Sequence, residues 1–536
     1  MLAVGASALA CTSLIATKGA TANGSVMITY AADSHTLYGD MPVLRGAKHR
    51  PGDMRQIYDW DTGRYLGAIP QPAETYSRIG HINEHGVAMA ESTWGGRMEL
   101  VDTTGIIDYG SLIYITLERA KTAREAVDIM TSLVQEYGYA SEGESFSVAD
   151  PEEAWIVEMI GKGPGRKGAV WVARRIPDGY ISGHANNPRI HRFPLDEPET
   201  TLYSPDVISF AREKGYFNGP DEEFDFSEAY MVYDYLALRG CDGRVWSFFN
   251  RFAPETAAGS LDWVMAGTGE PMPLWVKPDS LLTLSDMQWM MRDHFEGTPM
   301  DMTQDIGAGP FDVPYRWRPM EFEVDSVKYF NERAIATQQT GFSFVAQCDA
   351  AAPEAMRATL WFGTDDANTS FYVPVYSSMT SVPRCFEEGN GDMYTISRDA
   401  AFWATNMVAN QAYNRYSRMI PDIRRVQAEI EESAQAADAR MRRELHNSHF
   451  DRQQLTVSEA SHKMANDATA KYFALNDFLT VKFLDGNVKR QNPDGSFKRT
   501  ETGLPASPEF PGYNQRYYKS IVDETGDKFK VRDIKL

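Results

Sequence analysis

The chain has 536 residues, of which 43% are hydrophobic and 24% are charged, a balance typical of globular proteins and not of disordered or fibrous ones. Its 53 lysines and arginines stand against 74 aspartates and glutamates. The resulting net charge of -21 repels phosphate backbones and anionic lipid surfaces, so nucleic acid is excluded as a partner. No uninterrupted apolar stretch approaches the roughly 18 residues that a membrane span requires.

The first ten residues, MLAVGASALA, are small and apolar and end in Ala8-Leu9-Ala10. A signal peptidase recognises small residues at such positions before its cleavage site. The basic segment that usually begins an export signal is missing. We interpret residues 1–10 as the tail of an export signal or as a short propeptide. We therefore expect a periplasmic or secreted protein.

Two β-prone runs, 11–16 and 25–30, follow the leader and are separated by a loop rich in Gly, Thr and Asn, which predicts a hairpin. Between this hairpin and the next strands, Thr122-Ala-Arg-Glu125 is a capping box that predicts a helix ending near Tyr137. Turn residues then separate four strand-like runs that predict an antiparallel meander: 146–149, 154–160, 169–176 and 180–182. Because sheet blocks and helices do not strictly alternate, the pattern favours a layered α+β body over a doubly wound fold.

The remaining sequence is less regular. Residues 190–330 are rich in proline, aromatic and acidic residues without a long period, which predicts insertions and loops around the core. Helical patterns cover 398–436, where Pro421 is expected to interrupt or kink the helix, and 457–479. We predict three parts for the chain: a leader over 1–10, one domain over 11–480 with insertions around 190–330, and an exposed C-terminal loop or arm over 481–536.

The four cysteines lie at positions 11, 241, 348 and 385. They are too widely spaced for a small disulfide scaffold or a CxxC zinc site, and one disulfide among Cys241, Cys348 and Cys385 stays open. Cys11 differs from the others because cleavage after Ala10 would make it the first residue. It would then carry both a thiol and a free amine.

A thiol and an amine on one residue form a nucleophile and its base. A free α-amino group titrates near 7.7–8.0 and a thiol near 8.5, so the neutral amine can accept the thiol proton without a distant histidine. The same amine can return the proton to the leaving nitrogen of an amide. Two alternatives remain: a small buried cysteine at the start of a strand, and a lipoprotein site at which the thiol is acylated.

Several segments resemble the C69 dipeptidases, with secernins, penicillin V acylases and bile salt hydrolases as more distant relatives. They are Cys11-Thr-Ser-Leu-Ile-Ala, Asn83-Glu-His-Gly-Val-Ala-Met-Ala-Glu-Ser, Ala185-Asn-Asn-Pro-Arg-Ile, LWFGTDDANTSFYVPVY from Leu360 and FWATNMVANQAYNRY from Phe402. The resemblance implies a four-layer αββα sandwich of the N-terminal nucleophile hydrolase type and a cysteine freed by processing. It also implies hydrolysis of small peptides, namely dipeptides with a free amino group, without a metal or organic cofactor.

The resemblance also implies roles for individual residues. In the acylases an Arg and an Asp flank the cysteine. Asp33 matches the Asp, although it could also be a plain turn residue. Tyr30 lies near the Arg position, so the role of the arginine is left unfilled. Asn186 matches the asparagine whose side-chain N–H stabilises the oxyanion of the tetrahedral intermediate. Its neighbour Asn187 is the alternative if the alignment slips by one residue.

Four further residues are candidates for substrate binding. The strand after the turn that holds Asn83 contains Glu91 and Thr93, where the acylases supply a second oxyanion donor. An acidic residue at this position would instead bind a substrate ammonium. Arg244 would supply the missing positive charge, or it is an arginine of the surface or of an ion pair.

Three other functions remain open. His81-Ile-Asn-Glu-His85 matches the HxxEH zinc-peptidase pattern, but Gly86 and the strand-like residues after it predict a turn, where the metal geometry requires a helix. The same nucleophile could serve an acylase that cuts a non-peptide amide. An exported binding protein is the third alternative, and the oligomeric state, including a homo-oligomer, stays open.

Overall fold

The computed structural model describes residues 11–534, so the export signal or propeptide predicted for residues 1–10 lies outside the described residues. The strands are β1 (Ser13–Ala16), β2 (Val26–Asp33), β3 (Val43–Leu44), β4 (Ala47–Lys48), β5 (Met54–Tyr58), β6 (Tyr65–Pro70), β7 (Glu74–Thr75), β8 (Arg78–Ile79), β9 (Ile82–Asn83), β10 (Ala88–Gly95), β11 (Gly143–Ala149), β12 (Ala154–Gly161), β13 (Ala169–Arg175), β14 (Ile181–His184), β15 (Thr201–Tyr203), β16 (Trp275–Val276), β17 (Glu321–Val324), β18 (Val327–Phe330), β19 (Thr340–Cys348), β20 (Ala358–Thr364) and β21 (Val373–Tyr376). The α-helices are α1 (Tyr109–Leu117), α2 (Ala123–Tyr137), α3 (Val207–Glu213), α4 (Phe226–Tyr230), α5 (Gly243–Phe252), α6 (Pro254–Ala258), α7 (Leu261–Ala266), α8 (Leu284–Met290), α9 (Ala401–Asn414), α10 (Tyr416–Leu445), α11 (Phe450–Lys482) and α12 (Gln515–Thr525).

Two large sheets form the centre of the molecule. The first has the strand order β16-β14-β1-β2-β19-β20-β21, and the second has the order β15-β13-β12-β11-β10-β9-β8-β3. Neighbouring strands in both sheets are antiparallel. With helices and antiparallel sheets in separate blocks along the chain, the predicted α+β class is confirmed.

The two sheets lie against each other, and helices cover their outer faces. Strand β2 contacts β10 and β11, and the apolar side chains between the sheets include Ile15, Ile28 and Ile156. Helices α1 and α2 cover the outer face of the second sheet, while α5 and α8 cover the first sheet with α9, α10 and α11 beside them. Alternate residues of each strand thus contribute to different apolar layers, as the two-residue period of a strand requires.

The hairpin and the first helix follow the sequence prediction. Strands β1 and β2 pair directly, with Ile15 opposite Ile28. Helix α2 begins after Thr122, whose hydroxyl accepts a hydrogen bond from the Glu125 backbone N–H at 3.1 Å, and it ends at Tyr137. The Glu125 carboxylate accepts a hydrogen bond from the Lys121 backbone N–H at 2.7 Å and not from that of Thr122, so only half of the predicted capping box forms.

The predicted four-stranded meander is wrong in its last strand. Strands β11, β12 and β13 pair in sequence as expected, but β14 crosses to the first sheet and pairs with β1. The crossing brings Ser13 opposite His184. A local pattern predicts that a strand forms, whereas its partner depends on contacts distant in sequence.

The prediction of loops over 190–330 is also wrong, because helices α3 to α8 lie within this segment. In α5, Val245, Phe248, Phe249 and Phe252 recur at helical spacing, and all are buried against the first sheet. The segment therefore contributes a layer of the core. Its short helices explain why no long period is visible in the sequence.

In the C-terminal part, a break separates α9 from α10 at Arg415, and Pro421 lies inside α10. The interruption attributed to Pro421 therefore falls six residues earlier. Helix α11 extends beyond both ends of the predicted 457–479, and residues 487–514 form an exposed segment before α12. None of the helices among residues 11–534 is long and apolar enough to cross a bilayer, and all four cysteines in this range are free thiols.

Candidate active site

Cys11 lies two residues before the start of β1, which is held between β14 and β2 in the first sheet. Its thiol is 8% exposed, and its Sγ atom lies 3.3 Å from Glu91 Oε1 and 3.7 Å from the Tyr30 hydroxyl. Burial, followed by the negative charges of Glu91 and Asp33, raises the pKa of this thiol well above its ordinary value. The thiol is therefore protonated unless a base or a cation is brought to it.

A pair of buried carboxyl groups lies beside the thiol. Glu91 accepts a short hydrogen bond from Tyr30, and Glu144, on the adjacent strand, accepts one from Thr93 Oγ1 at 3.0 Å. Burial raises the pKa of both carboxyl groups, and the charge of Glu91 raises that of Glu144 further. One oxygen of each, Glu91 Oε2 and Glu144 Oε1, is buried without a hydrogen-bond partner. The pair thus favours a shared proton or a bound cation.

Asp33 ends strand β2 on the other side of Cys11. Its carboxylate accepts hydrogen bonds from Arg333 and, at 2.6 Å, from Thr340 Oγ1. Burial raises the pKa of Asp33, and the Arg333 cation opposes this rise. Both members of the ion pair are almost fully buried, so Asp33 is a buried, ion-paired residue of the site and not an exposed turn residue.

Arg244 joins several segments around Cys11. Its side chain is fully buried, which contradicts the alternative of a surface arginine. The guanidinium donates five hydrogen bonds, to Cys11 O at 2.7 Å, Thr12 Oγ1 at 2.8 Å, Gly240 O at 2.8 Å, Asn186 Oδ1 at 2.9 Å and Ala185 O at 3.1 Å. Burial lowers the pKa of Arg244 to about 10, so it remains a cation at neutral pH.

Asn186 lies just after β14, in a left-handed backbone conformation with a φ of 58°, which asparagine tolerates better than most residues. Because Arg244 can only donate, Asn186 Oδ1 must face it, and this fixes the orientation of the amide. Asn186 Nδ2 then donates to Thr93 O at 2.5 Å. Short contacts thus link Cys11, Glu91, Asn186, Thr93 and Arg244, and Asp33 is close enough to raise the pKa of the thiol.

A buried polar chain supports this arrangement from between the sheets. His184 Nδ1 lies 2.6 Å from Ser92 Oγ, and its Nε2 lies 2.8 Å from Ser147 Oγ. Ser92 Oγ in turn accepts from the Asn186 backbone N–H at 3.2 Å, and Ser147 Oγ lies 2.7 Å from Ser13 Oγ. Burial lowers the pKa of His184 to about 3, so the ring is neutral.

Asn83 is the predicted site residue that the structure does not bring to this group. Its Nδ2 donates to Leu117 O and Ala120 O, both at 2.8 Å, and its Oδ1 accepts from the backbone N–H groups of His85 and Val87 at 3.0 Å. All four hydrogen-bonding positions of the amide are therefore used to hold the turn before β10 against the end of α1. The substrate-binding interpretation of Asn83 has no support in these contacts.

The two histidines of the HxxEH pattern lie at either end of a turn and strand β9, not on one helix face. His81 Nδ1 bonds Met89 O at 3.0 Å, and the ring of His85 lies edge-on against Tyr76, 4.3 Å between centroids. The helical geometry that the zinc interpretation requires is absent from this part of the described chain.

Two residues of the site were missed from the sequence. Glu144 could have been found, because it is the one charged residue in the otherwise uncharged strand β11. Arg333 lies in a segment without regular structure before β19, and nothing in its local sequence marks it as the partner of Asp33.

Comparisons with known proteins agree with one another. A family model described as Peptidase family C69 matches residues 48–429, a range that includes Glu91, Asn186 and Arg244 and begins after Cys11 and Asp33. A probable dipeptidase of Salmonella dublin is 24% identical over 391 residues, which cover 69% of this chain and 82% of the relative. Probable dipeptidase A of Streptococcus pyogenes serotype M3 is 23% identical over 441 residues, covering 77% and 85%. The dipeptidase of Bifidobacterium longum is 23% identical over 448 residues, covering 75% and 76%.

Proposed function

Because the chain belongs to peptidase family C69 and is thus a peptide-bond hydrolase, we propose that it is a dipeptidase whose nucleophile is the thiol of Cys11. The names of the relatives support dipeptides as the substrate class. We also propose that the helix-covered pair of sheets is the αββα sandwich of N-terminal nucleophile hydrolases. Removal of residues 1–10 during export would expose the amine of Cys11.

The observation that carries this proposal is the arrangement of Arg244 and Asn186 around Cys11. One guanidinium binds the Cys11 carbonyl oxygen and the Asn186 amide oxygen, so it fixes the nucleophile relative to a side-chain N–H donor. Asn186 Nδ2 uses one hydrogen for Thr93 O, and we assign the other to the oxyanion. A preformed donor of this kind stabilises a tetrahedral intermediate without reorganisation.

The proposed reaction begins when the α-amine of Cys11 takes the thiol proton. The thiolate attacks the peptide carbonyl carbon, a C–S bond forms, and the carbonyl electron pair moves to the oxygen that Asn186 binds. The C–N bond then breaks, and the leaving nitrogen receives the proton from the Cys11 ammonium. Water hydrolyses the thioester, which releases the acid and restores the thiol.

The charged groups around the thiol fit this sequence of steps. Loss of the proton from the thiol is opposed by the nearby Glu91 and Asp33 anions, so an ammonium on Cys11 would offset their repulsion of the thiolate. The carboxyl pair of Glu91 and Glu144 suits the ammonium of a free amino terminus. This would distinguish dipeptides from N-acylated compounds.

The test is hydrolysis of free dipeptides and N-acylated controls by protein that starts at Cys11, with a chelator present. Cys11→Ala should lower kcat/KM at least a thousandfold, since it removes the covalent path. Cys385→Ala is the matched control, because Cys385 is also buried but makes none of the site contacts, and its activity should match the parent.

Two other outcomes would assign the chemistry elsewhere. Activity that survives in Cys11→Ala and is lost with the chelator would contradict a thiol nucleophile and transfer the reaction to His81 and His85. Cleavage of N-acylated compounds alone would favour the acylase and contradict the dipeptidase assignment.

A further inference from the structure

A cavity of about 300 Å³ lies next to the candidate active site. Aromatic rings form much of its wall, including those of Trp60, Tyr114 and Phe342, and His81 also lines it. Asp40, Asp59 and Glu388 supply carboxylates to the same lining. Its volume is sufficient for one large amino-acid side chain.

Only one ring separates this cavity from the thiol. The ring centroids of His81 and Phe342 lie 5.3 Å and 5.7 Å from that of Tyr30. The Tyr30 hydroxyl in turn lies 3.7 Å from Cys11 Sγ. Because these rings are in contact, a substrate whose carbonyl carbon is near Sγ would have to displace the Tyr30 ring to place a side chain in the cavity.

The lining of the cavity contains three carboxylates, and Arg78, which lies 3.9 Å from the centre of the Tyr114 ring, is itself paired with Glu118. The lining itself contains no lysine or arginine within the described chain, and neither Asp40 nor Glu388 takes part in an ion pair in that part of the protein. Burial and then the charge of Glu388 raise the pKa of Asp40, as expected for two anions that lack a cation between them.

We propose that this cavity binds the cationic side chain of one residue of the dipeptide, as in lysine or arginine. Aromatic walls accommodate the apolar stem of such a side chain and attract its charged end. Asp40 and Glu388 then supply the missing counter-charge. This inference rests on the proposed dipeptidase function and assigns its substrate class.

Direct binding tests the cavity independently of catalysis. Calorimetric titration of Cys11→Ala protein with lysyl-alanine and norleucyl-alanine, and with alanyl-lysine and alanyl-norleucine, compares stems of equal length with and without charge. We expect the lysine compound to bind about tenfold more tightly at one of the two positions. Equal affinities at both positions would overturn the proposal even if the active protein cleaves dipeptides.

Glu388→Gln, in the same Cys11→Ala background, should reduce the preference for lysine about fivefold and leave norleucine binding unchanged. Glu387→Gln is the matched control, because this neighbouring glutamate does not line the cavity and is paired with Arg384. If Glu388→Gln weakens every dipeptide equally, the cavity binds the α-ammonium and the side-chain assignment is wrong. A preference for lysine without cleavage by the parent would retain the cavity and reject the dipeptidase.

Discussion

Replacement of Arg244 by lysine tests whether this arginine organises the site. The guanidinium donates five hydrogen bonds, and every acceptor belongs to the interior of the protein. A lysine ammonium has three donors, so at least two acceptors lose their partner. Each unsatisfied buried acceptor costs about 1–3 kcal/mol, and we expect Arg244→Lys to lower the free energy of unfolding by about 2–6 kcal/mol.

Urea denaturation measures this loss, and Arg425→Lys provides the control. Arg425 is 56% exposed in an ion pair with Glu429, so its replacement should change stability by less than about 0.5 kcal/mol. In the active protein, Arg244→Lys should lower kcat about a hundredfold with a smaller change in KM, because Asn186, the proposed oxyanion donor, is no longer held in place. A stability loss below about 1 kcal/mol together with an unchanged kcat would refute the role assigned to Arg244.

Two other predictions concern buried charges. Asp33→Asn should destabilise the protein by about 3–5 kcal/mol in urea, because it removes the carboxylate that pairs with the buried Arg333 cation. A loss like that of the exposed control Asp523→Asn would contradict this. The pKa of His81 is lowered by burial from 6.5 to about 3, so its stabilising contribution is present above pH 6.5 and is lost as the pH falls toward 3. This loss amounts to about 5 kcal/mol, and His81→Phe should flatten the decline of unfolding free energy over that range, whereas an unchanged slope would show that His81 titrates normally in the folded state.

Local patterns were sufficient for the elements whose contacts are close in sequence. The β1–β2 hairpin needs only a loop and two β-prone runs, and Thr122 marks the start of α2 by a hydrogen bond three residues away. The prediction that β14 is the fourth strand of a meander was wrong, because β14 pairs with β1, which is more than 160 residues distant in the sequence. Strand formation is a local property, but strand pairing is not.

The candidate site residues show the same difference between local and distant information. The prediction of Cys11 as the nucleophile rests on its position after Ala8-Leu9-Ala10, which has a chemical meaning in the sequence itself. The sequence left the role of Arg244 open, because an arginine beside Val245 and Trp246 is ordinary in an amphipathic helix. Its role depends on the carbonyl groups of Cys11 and Ala185, which only the fold brings to it. The motif around Asn83 matches the family locally, but an asparagine in such a motif can stabilise a turn as well as bind a substrate.

The wide spacing of the groups around Cys11 has a consequence for biosynthesis. Arg244 is 233 residues from Cys11, and Arg333 is 300 residues from Asp33. At a translation rate of about 5–20 residues per second, the thiol leaves the ribosome roughly 15–60 s before the last of these cations. A chain released before Arg333 would contain the proposed nucleophile but not the complete candidate site. We therefore expect chains that end before Arg333 to be inactive, so that peptidase activity cannot begin until this part of the chain has been synthesised.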